Sequence, residues 1–239
     1  MRILTETKLT VKIKGFQGTS LIDYPGKVAA IIFTGGCNFR CPFCHNPELV
    51  VGDLPDIPLE KILSELERRR GFIEAVSITG GEPFIFRDIH LFTEMIKERG
   101  FSVKIDTNGS FPERLKKVLD NESVDFVAMD VKSSFDNYPV AAGVKVDVEK
   151  IAESIEMIKE WDGESEFRVT VVPKIVGEDD IVKLASILKG SKKVVLQQFR
   201  NRVTLDPDFR KLYPYSPDVI LHFAKILEGE GINVEVRGI

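Results

Sequence analysis

The run Val28-Ala-Ala-Ile-Ile-Phe-Thr34 leads directly into Gly35-Gly-Cys37-Asn-Phe-Arg-Cys41-Pro-Phe-Cys44-His-Asn-Pro47. Its first half is unbroken, apolar and rich in β-branched residues, the pattern of a strand covered on both faces. Its second half is a glycine-led loop that places three cysteines within eight residues. A strand buried on both faces belongs to a parallel sheet, and such sheets gather ligands at the carboxyl ends of their strands. The cysteines stand at that end of the first strand.

Five later runs repeat the strand pattern: Ala75–Thr79, Ser102–Thr107, Val124–Asp130, Glu166–Val172 and Lys193–Phe199. Amphipathic segments separate them. In Leu59–Arg70, Leu59, Ile62, Leu63 and Leu66 recur at helical spacing. Asp88–Arg99, Val148–Trp161, Asp179–Lys189 and Ser216–Glu228 follow the same rule, and Gly100 and Gly190 stand where helices end. Six strands alternating with helices predict an α/β fold with right-handed crossovers. Six units are too few to close an eight-unit barrel. The expected architecture is therefore a partial (β/α)6 barrel with parallel strands. Residues 1–27 are expected to form an N-terminal hairpin or cap, with Thr10–Phe16 alternating and Asp23-Tyr24-Pro25-Gly26 as a turn. Residues 28–239 are expected to form the core with a C-terminal extension, in one domain overall.

The chain has 239 residues and a net charge of -4, which gives no reason to expect a nucleic-acid or anionic-membrane partner. No apolar run reaches membrane-spanning length. The N-terminus lacks the apolar core of a signal peptide. Three cysteines cannot form a complete disulfide framework, so a reducing cytoplasm is expected.

Cys37, Cys41 and Cys44 follow the spacing C-x3-C-x2-C. Thiolates select zinc or iron–sulfur clusters. Structural zinc takes four ligands, and no fourth cysteine exists. His45 is adjacent to Cys44 and badly placed to serve. Three thiolates in one loop suit a cluster with one position open, and a zinc knuckle or buried structural thiols is the rival. Polar groups also end the later strands: Gly80-Gly81-Glu82-Pro83, Asp106 with Asn108, Asp130 with Lys132, Arg168 within its strand, and Gln198 with Arg200. In isolation, Gly-Gly-Glu and Asn-Gly can be ordinary turns, Asp130 and Lys132 a surface ion pair, and Arg168 a salt bridge. Their arrival at one rim from five different strands is harder to obtain by chance.

Cys37-Asn-Phe-Arg-Cys41-Pro-Phe-Cys44 resembles the radical S-adenosylmethionine superfamily. The resemblance implies a [4Fe–4S] cluster held by Cys37, Cys41 and Cys44, with S-adenosylmethionine on the remaining iron. It implies reductive cleavage of the C5′–S bond to a 5′-deoxyadenosyl radical that abstracts a hydrogen atom. It places Phe43 near the adenine and Gly80, Gly81, Glu82 and Pro83 at the methionine ammonium. Asp106 and Asn108 would face the ribose or the methionine. Lys132 would approach the methionine carboxylate, with Asp130, Arg168 and Gln198 also lining the site.

Two further stretches narrow the resemblance: Cys44-His45-Asn46-Pro47-Glu48 and Ser20-Leu21-Ile22-Asp23-Tyr24-Pro25-Gly26-Lys27. Together they look like the glycyl-radical enzyme activases, most like the anaerobic ribonucleoside-triphosphate reductase branch. Many activases carry a ferredoxin-like insert with extra cysteines, and this chain has none. The implied partners are a glycyl-radical enzyme and a flavodoxin- or ferredoxin-type electron donor. A pyruvate formate-lyase activase and a small-molecule enzyme such as a deazapurine synthase are the alternatives. Asp23–Gly26, Gln198–Arg202 and Thr204–Pro217 are candidate contacts for a partner.

Anaerobic purification should yield about four irons per chain with a brown chromophore. Cys41→Ala should abolish both. Stoichiometric zinc without iron would rule out the cluster.

Overall fold

The computed structural model describes residues 9–239. Residues 1–8, which begin the expected cap and carry the signal-peptide argument, lie outside the described residues. The chain builds one eight-stranded sheet whose spatial order follows its sequence order. Strand β1 (Ile13–Ser20) is antiparallel to β2 (Ala29–Thr34). From β2 onward every pairing is parallel, through β3 (Ala75–Gly80), β4 (Ser102–Thr107), β5 (Phe126–Asp130), β6 (Glu164–Val171), β7 (Val194–Gln198) and β8 (Val234–Arg237). Among the described residues β8 does not pair with β1, so the sheet curls without closing.

The α/β partial barrel is therefore as expected, but it carries seven parallel strands where six were predicted. The seventh, β8, reads Val-Glu-Val-Arg. It is only four residues long and places Glu235 and Arg237 on one face, so it gives no apolar run. Arg237 reaches from β8 to Glu166 on β6 with two hydrogen bonds, at 2.9 and 3.1 Å. Glu166 is buried, and this charge-assisted pair fastens the last strand. Strand β1 joins the core sheet directly, from Ile13 opposite Thr34 to Ser20 opposite Ala29.

The long helices cover the outer face: α2 (Leu59–Arg68), α3 (Ile89–Lys97), α4 (Pro112–Asp120), α6 (Val148–Glu160), α7 (Glu178–Leu188) and α8 (Pro217–Gly229). Each buries an apolar stripe against the sheet, for example Ile151, Ile155 and Ile158 on α6. Helix α4 was not anticipated. Its stripe is only Leu115, Val118 and Leu119, but Pro112 sets its first turn. Two short helices, α1 (Pro47–Val51) and α5 (Tyr138–Ala142), lie beside the cysteine loop.

The turn Asp23–Gly26 takes an unexpected place. It follows β1 and precedes β2, so it lies at the amino ends of the parallel strands, opposite the cysteines. Tyr24 is buried there against Ala29, Ala75, Phe126 and Ala128. Its ring meets Phe126 edge-on at 5.9 Å, and Lys27 lies 5.3 Å from its centroid. The three alanines leave the width that the two rings fill. Tyr24 thus seals the barrel floor rather than presenting itself to a partner. Tyr24→Ala should lower the unfolding free energy by about 3 kcal/mol in urea titrations. A loss below about 1 kcal/mol would show that the ring does not fill the floor.

Candidate active site

The cysteine loop is held from four directions. The Gly36 amide donates to the Leu49 carbonyl of α1 at 2.7 Å, and the Arg40 amide to the Ala142 carbonyl of α5 at 2.8 Å. The Asp206 amide donates to the Pro42 carbonyl at 2.9 Å, so the Thr204–Pro217 stretch braces this loop. The fourth attachment runs to the end of β3. There Gly81 N donates to Thr34 O at 2.9 Å and Glu82 N to Gly36 O at 2.8 Å. This approach has no room for side chains. A Cβ on Gly81 would lie 1.8 Å from the Gly36 oxygen, and one on Gly80 2.5 Å from the Thr34 oxygen. Gly80 also sits at φ +116°, a conformation that favours glycine. The Gly-Gly pair is thus required to seat the cysteine loop on the sheet.

Cys37, Cys41, Phe43 and Cys44 line one cavity of about 400 Å³. Gly80, Gly81, Glu82, Asp106, Asn108, Asp130, Lys132 and Arg168 line it too, so most of the expected residues converge. Two do not. Pro83 is buried at the start of a short 3-10 turn behind the rim. Gln198 turns its Nε2 to the Tyr215 carbonyl at 2.7 Å, and its neighbour Gln197 faces the cavity instead. Register explains the difference: Gln197 pairs with Thr170, which also lines the cavity, whereas Gln198 pairs with Val171. Asp23 reaches the same cavity from the floor side, together with Thr79, Thr107 and Thr170. Thr170, two positions from Arg168 on β6, was recoverable from strand alternation; Asp23 was not.

Several of these side chains already have partners. Glu82 is buried and accepts from Asn108 N at 2.6 Å, Thr107 Oγ1 at 2.9 Å and Phe84 N at 3.1 Å. Burial pushes its carboxyl up to about 7 against the pull of those three donors. Asn108 donates to Asn38 Oδ1 at 3.0 Å, and its oxygen accepts from Ser110. Asp106 and Asp130 share Arg168, at 3.2 and 2.7 Å. Lys132 adds a second partner to Asp130, at 3.2 Å. Burial alone would raise the Asp130 carboxyl, but Arg168 and Lys132 outweigh it and hold it well below the usual range.

His45 points its Nε2 at the Arg200 carbonyl, 3.0 Å away, and stacks on Phe199. It lines the same cavity as the thiols, with its Nε2 already engaged. Burial raises the Cys37 thiol to about 12 and the Cys41 thiol to about 11. Without metal they carry protons, so loading a metal centre releases protons and is favoured by rising pH. Among the described residues, no three His, Cys, Asp or Glu groups are close enough to hold a single ion. Three thiols on one cavity suit a [4Fe–4S] cluster, in which each cysteine binds a different iron, so the donor set fits the cluster.

The structure is a partial parallel barrel with a three-cysteine loop after its first parallel strand and a Gly-Gly-Glu turn after its second, both lining one cavity. The family model for the Radical SAM superfamily matches residues 31–187, and the chain belongs to that superfamily. Its cofactors are accordingly a [4Fe–4S] cluster and S-adenosylmethionine. The chain is 35% identical over 232 residues to a Methanocaldococcus jannaschii protein provisionally named glycyl-radical enzyme activating enzyme MJ1227, covering 95% of this chain and 96% of that one. It is 27% identical to the pyruvate formate-lyase-activating enzyme of Clostridium pasteurianum, over 77% of this chain and 78% of the other. The fold also resembles the crystal structure of QueE from Escherichia coli, with a TM-score of 0.56 at 16% identity, over 96% of this chain and 94% of that one. No helix among the described residues is long and apolar enough to cross a membrane.

Gly81→Ala should displace the cysteine loop. Reconstituted iron should fall from about four to below about one per chain, while the far-ultraviolet circular dichroism stays unchanged. Full iron loading in this variant would show that the loop can be seated another way.

Proposed function

We propose that this protein generates a glycyl radical on a partner enzyme, and that the partner is the anaerobic ribonucleoside-triphosphate reductase. The observation that carries the first part is the match to the glycyl-radical enzyme activating protein over nearly the whole of both chains, well beyond the superfamily core. The second part rests on the Ser20–Lys27 and Cys44–Glu48 stretches. The absence of any cysteine beyond the three fits a compact activase with one cluster.

In this reading Cys37, Cys41 and Cys44 each bind one iron. The Gly80 and Gly81 carbonyls, with the Glu82 carboxylate behind them, receive the methionine ammonium. Lys132 takes the methionine carboxylate, and Phe43 packs beside the adenine. Asp106, Asp130 and Arg168 hold Lys132 in place, and Gln197 replaces Gln198 as the cavity-facing amide. Held by these residues and reduced by a flavodoxin- or ferredoxin-type donor, the cluster and S-adenosylmethionine would supply one-electron chemistry able to remove a hydrogen atom from a glycine Cα of the partner. The gap between β1 and β8 supports access for such a backbone segment, because a closed barrel would exclude it.

Anaerobic mixing of reconstituted protein, S-adenosylmethionine, a low-potential reductant and the reductase should produce a glycyl doublet in the electron paramagnetic resonance spectrum of the reductase. A doublet on a pyruvate formate-lyase-like enzyme alone would move the assignment to that partner. Turnover of a pterin substrate without a radical on any protein would overturn it in favour of a small-molecule enzyme.

A further inference from the structure

One buried charge has no part in these assignments. Lys104 lies on β4 two residues before Asp106, so both side chains point into the barrel. It is 3% exposed and does not line the cavity. Its ammonium donates to Asp106 Oδ1. The other Asp106 oxygen accepts from Arg168 Nη1 at 3.2 Å. Arg168 Nε donates to Asp130 Oδ1 at 2.7 Å, and the other Asp130 oxygen accepts from Lys132 Nζ at 3.2 Å. The five side chains form a single file of alternating sign. It begins beneath the cavity at Lys104 and ends on the cavity wall at Lys132.

Three cations and two anions leave one positive charge over. Because each carboxylate in the file lies between two cations, the surplus need not be consumed inside the barrel. Without Lys104 the file would hold two charges of each sign. Asp106 would then draw Arg168 towards itself, Asp130 would lose part of its guanidinium, and Lys132 would become its main partner. An ammonium bound in that way is less free to meet an incoming anion. A buried cation is costly unless paired, and an apolar side chain at position 104 would serve packing as well. Phe126 lies 5.9 Å below the ammonium. On the facing strand, Ser77 pairs with Lys104 and buries a hydroxyl that has no partner among the described residues. Packing therefore does not account for a charge here.

We propose that Lys104 is a positioning residue for the anion-binding end of the cavity: by satisfying Asp106 it leaves Arg168 to Asp130 and keeps the Lys132 ammonium available to a ligand carboxylate. The proposal rests on the reading that Lys132 receives the carboxylate of S-adenosylmethionine.

The test is titration of the reduced, reconstituted protein with S-adenosylmethionine, followed by the change in the cluster's electron paramagnetic resonance spectrum, alongside KM and kcat for its cleavage. Lys104→Met should bind about tenfold more weakly, with KM raised to match and kcat within about twofold, because a binding interaction common to ground and transition states has been lost. Iron content should be unchanged. Adding Asp106→Asn to Lys104→Met removes the anion that would draw Arg168 away from Asp130, so the double variant should bind more tightly than Lys104→Met alone. Lys104→Gln, which retains a donor but no charge, should fall between the unmodified protein and Lys104→Met, and it carries the test if the methionine variant does not load its cluster. Unchanged affinity in the Lys104 variants, or a double variant that binds no more tightly than Lys104→Met, would overturn the proposal. Failure of the unmodified protein to bind S-adenosylmethionine would overturn the cavity reading and the proposal with it.

Discussion

The site depends on a backbone contact with no side chain in it. The ends of β2 and β3 come so close that the Gly36 oxygen occupies the place a Cβ on Gly81 would need. In exchange, Glu82 N and Gly81 N reach the carbonyls of Gly36 and Thr34. This contact fixes where the cysteine loop leaves the sheet and turns the following residues towards the β4 rim. Glu82 then joins β3 to β4 through Asn108 N and Thr107 Oγ1, and Asn108 returns to the cysteine loop through Asn38. The three elements form a closed circuit of hydrogen bonds around the cavity. A pair of glycines after a strand is therefore a packing requirement here before it is a binding motif, and the two uses share the same atoms.

The barrel interior raises a different problem. Its inward positions carry Lys104, Asp106, Asp130, Glu166, Arg168 and Arg237, groups that are rarely buried unless paired. The fold answers by alternating their signs in space, so that each carboxylate has at least one cation beside it. Tyr24 and Phe126 close the floor beneath them with apolar area. Excluding water from that end strengthens the ion pairs above it. The Asp23–Gly26 turn thus works from both sides: its tyrosine seals the floor while its aspartate faces the cavity.

How much of this was legible depended on whether a residue's neighbours are near in sequence. The run from Val28 to Thr34 announced a doubly covered strand because every residue is apolar, and the cysteines announced an open metal site by spacing alone. Strand β8 gave no such signal, because half of its four residues are charged and the partners that hold it, β7 and Glu166 among them, lie elsewhere in the fold. The choice between Gln197 and Gln198 required the register against β6, which composition does not encode. Tyr24 read as part of a turn because the ring that receives it, Phe126, lies a hundred residues further along the chain. Lys104 could have been found, since Asp106 had been placed inside the barrel and alternation puts position 104 on the same face.

The groups already engaged also indicate which ones remain to bind. Glu82 and Asn108 spend their side chains on the rim, and Asp106 and Asp130 spend theirs on cations. What the cavity still offers includes a set of thiols, the backbone at Gly80 and Gly81, an aromatic face at Phe43 and the far end of a charge file at Lys132. These are few, and each is held by residues that are themselves held, so little ordering is left to do when a ligand enters. In the reading proposed above, the ammonium, the aromatic base and the carboxylate of S-adenosylmethionine would meet the last three of these in turn. The same rigidity means that a change at Lys104 or Gly81, neither of which needs to touch the reacting atoms, reaches the chemistry through the scaffold.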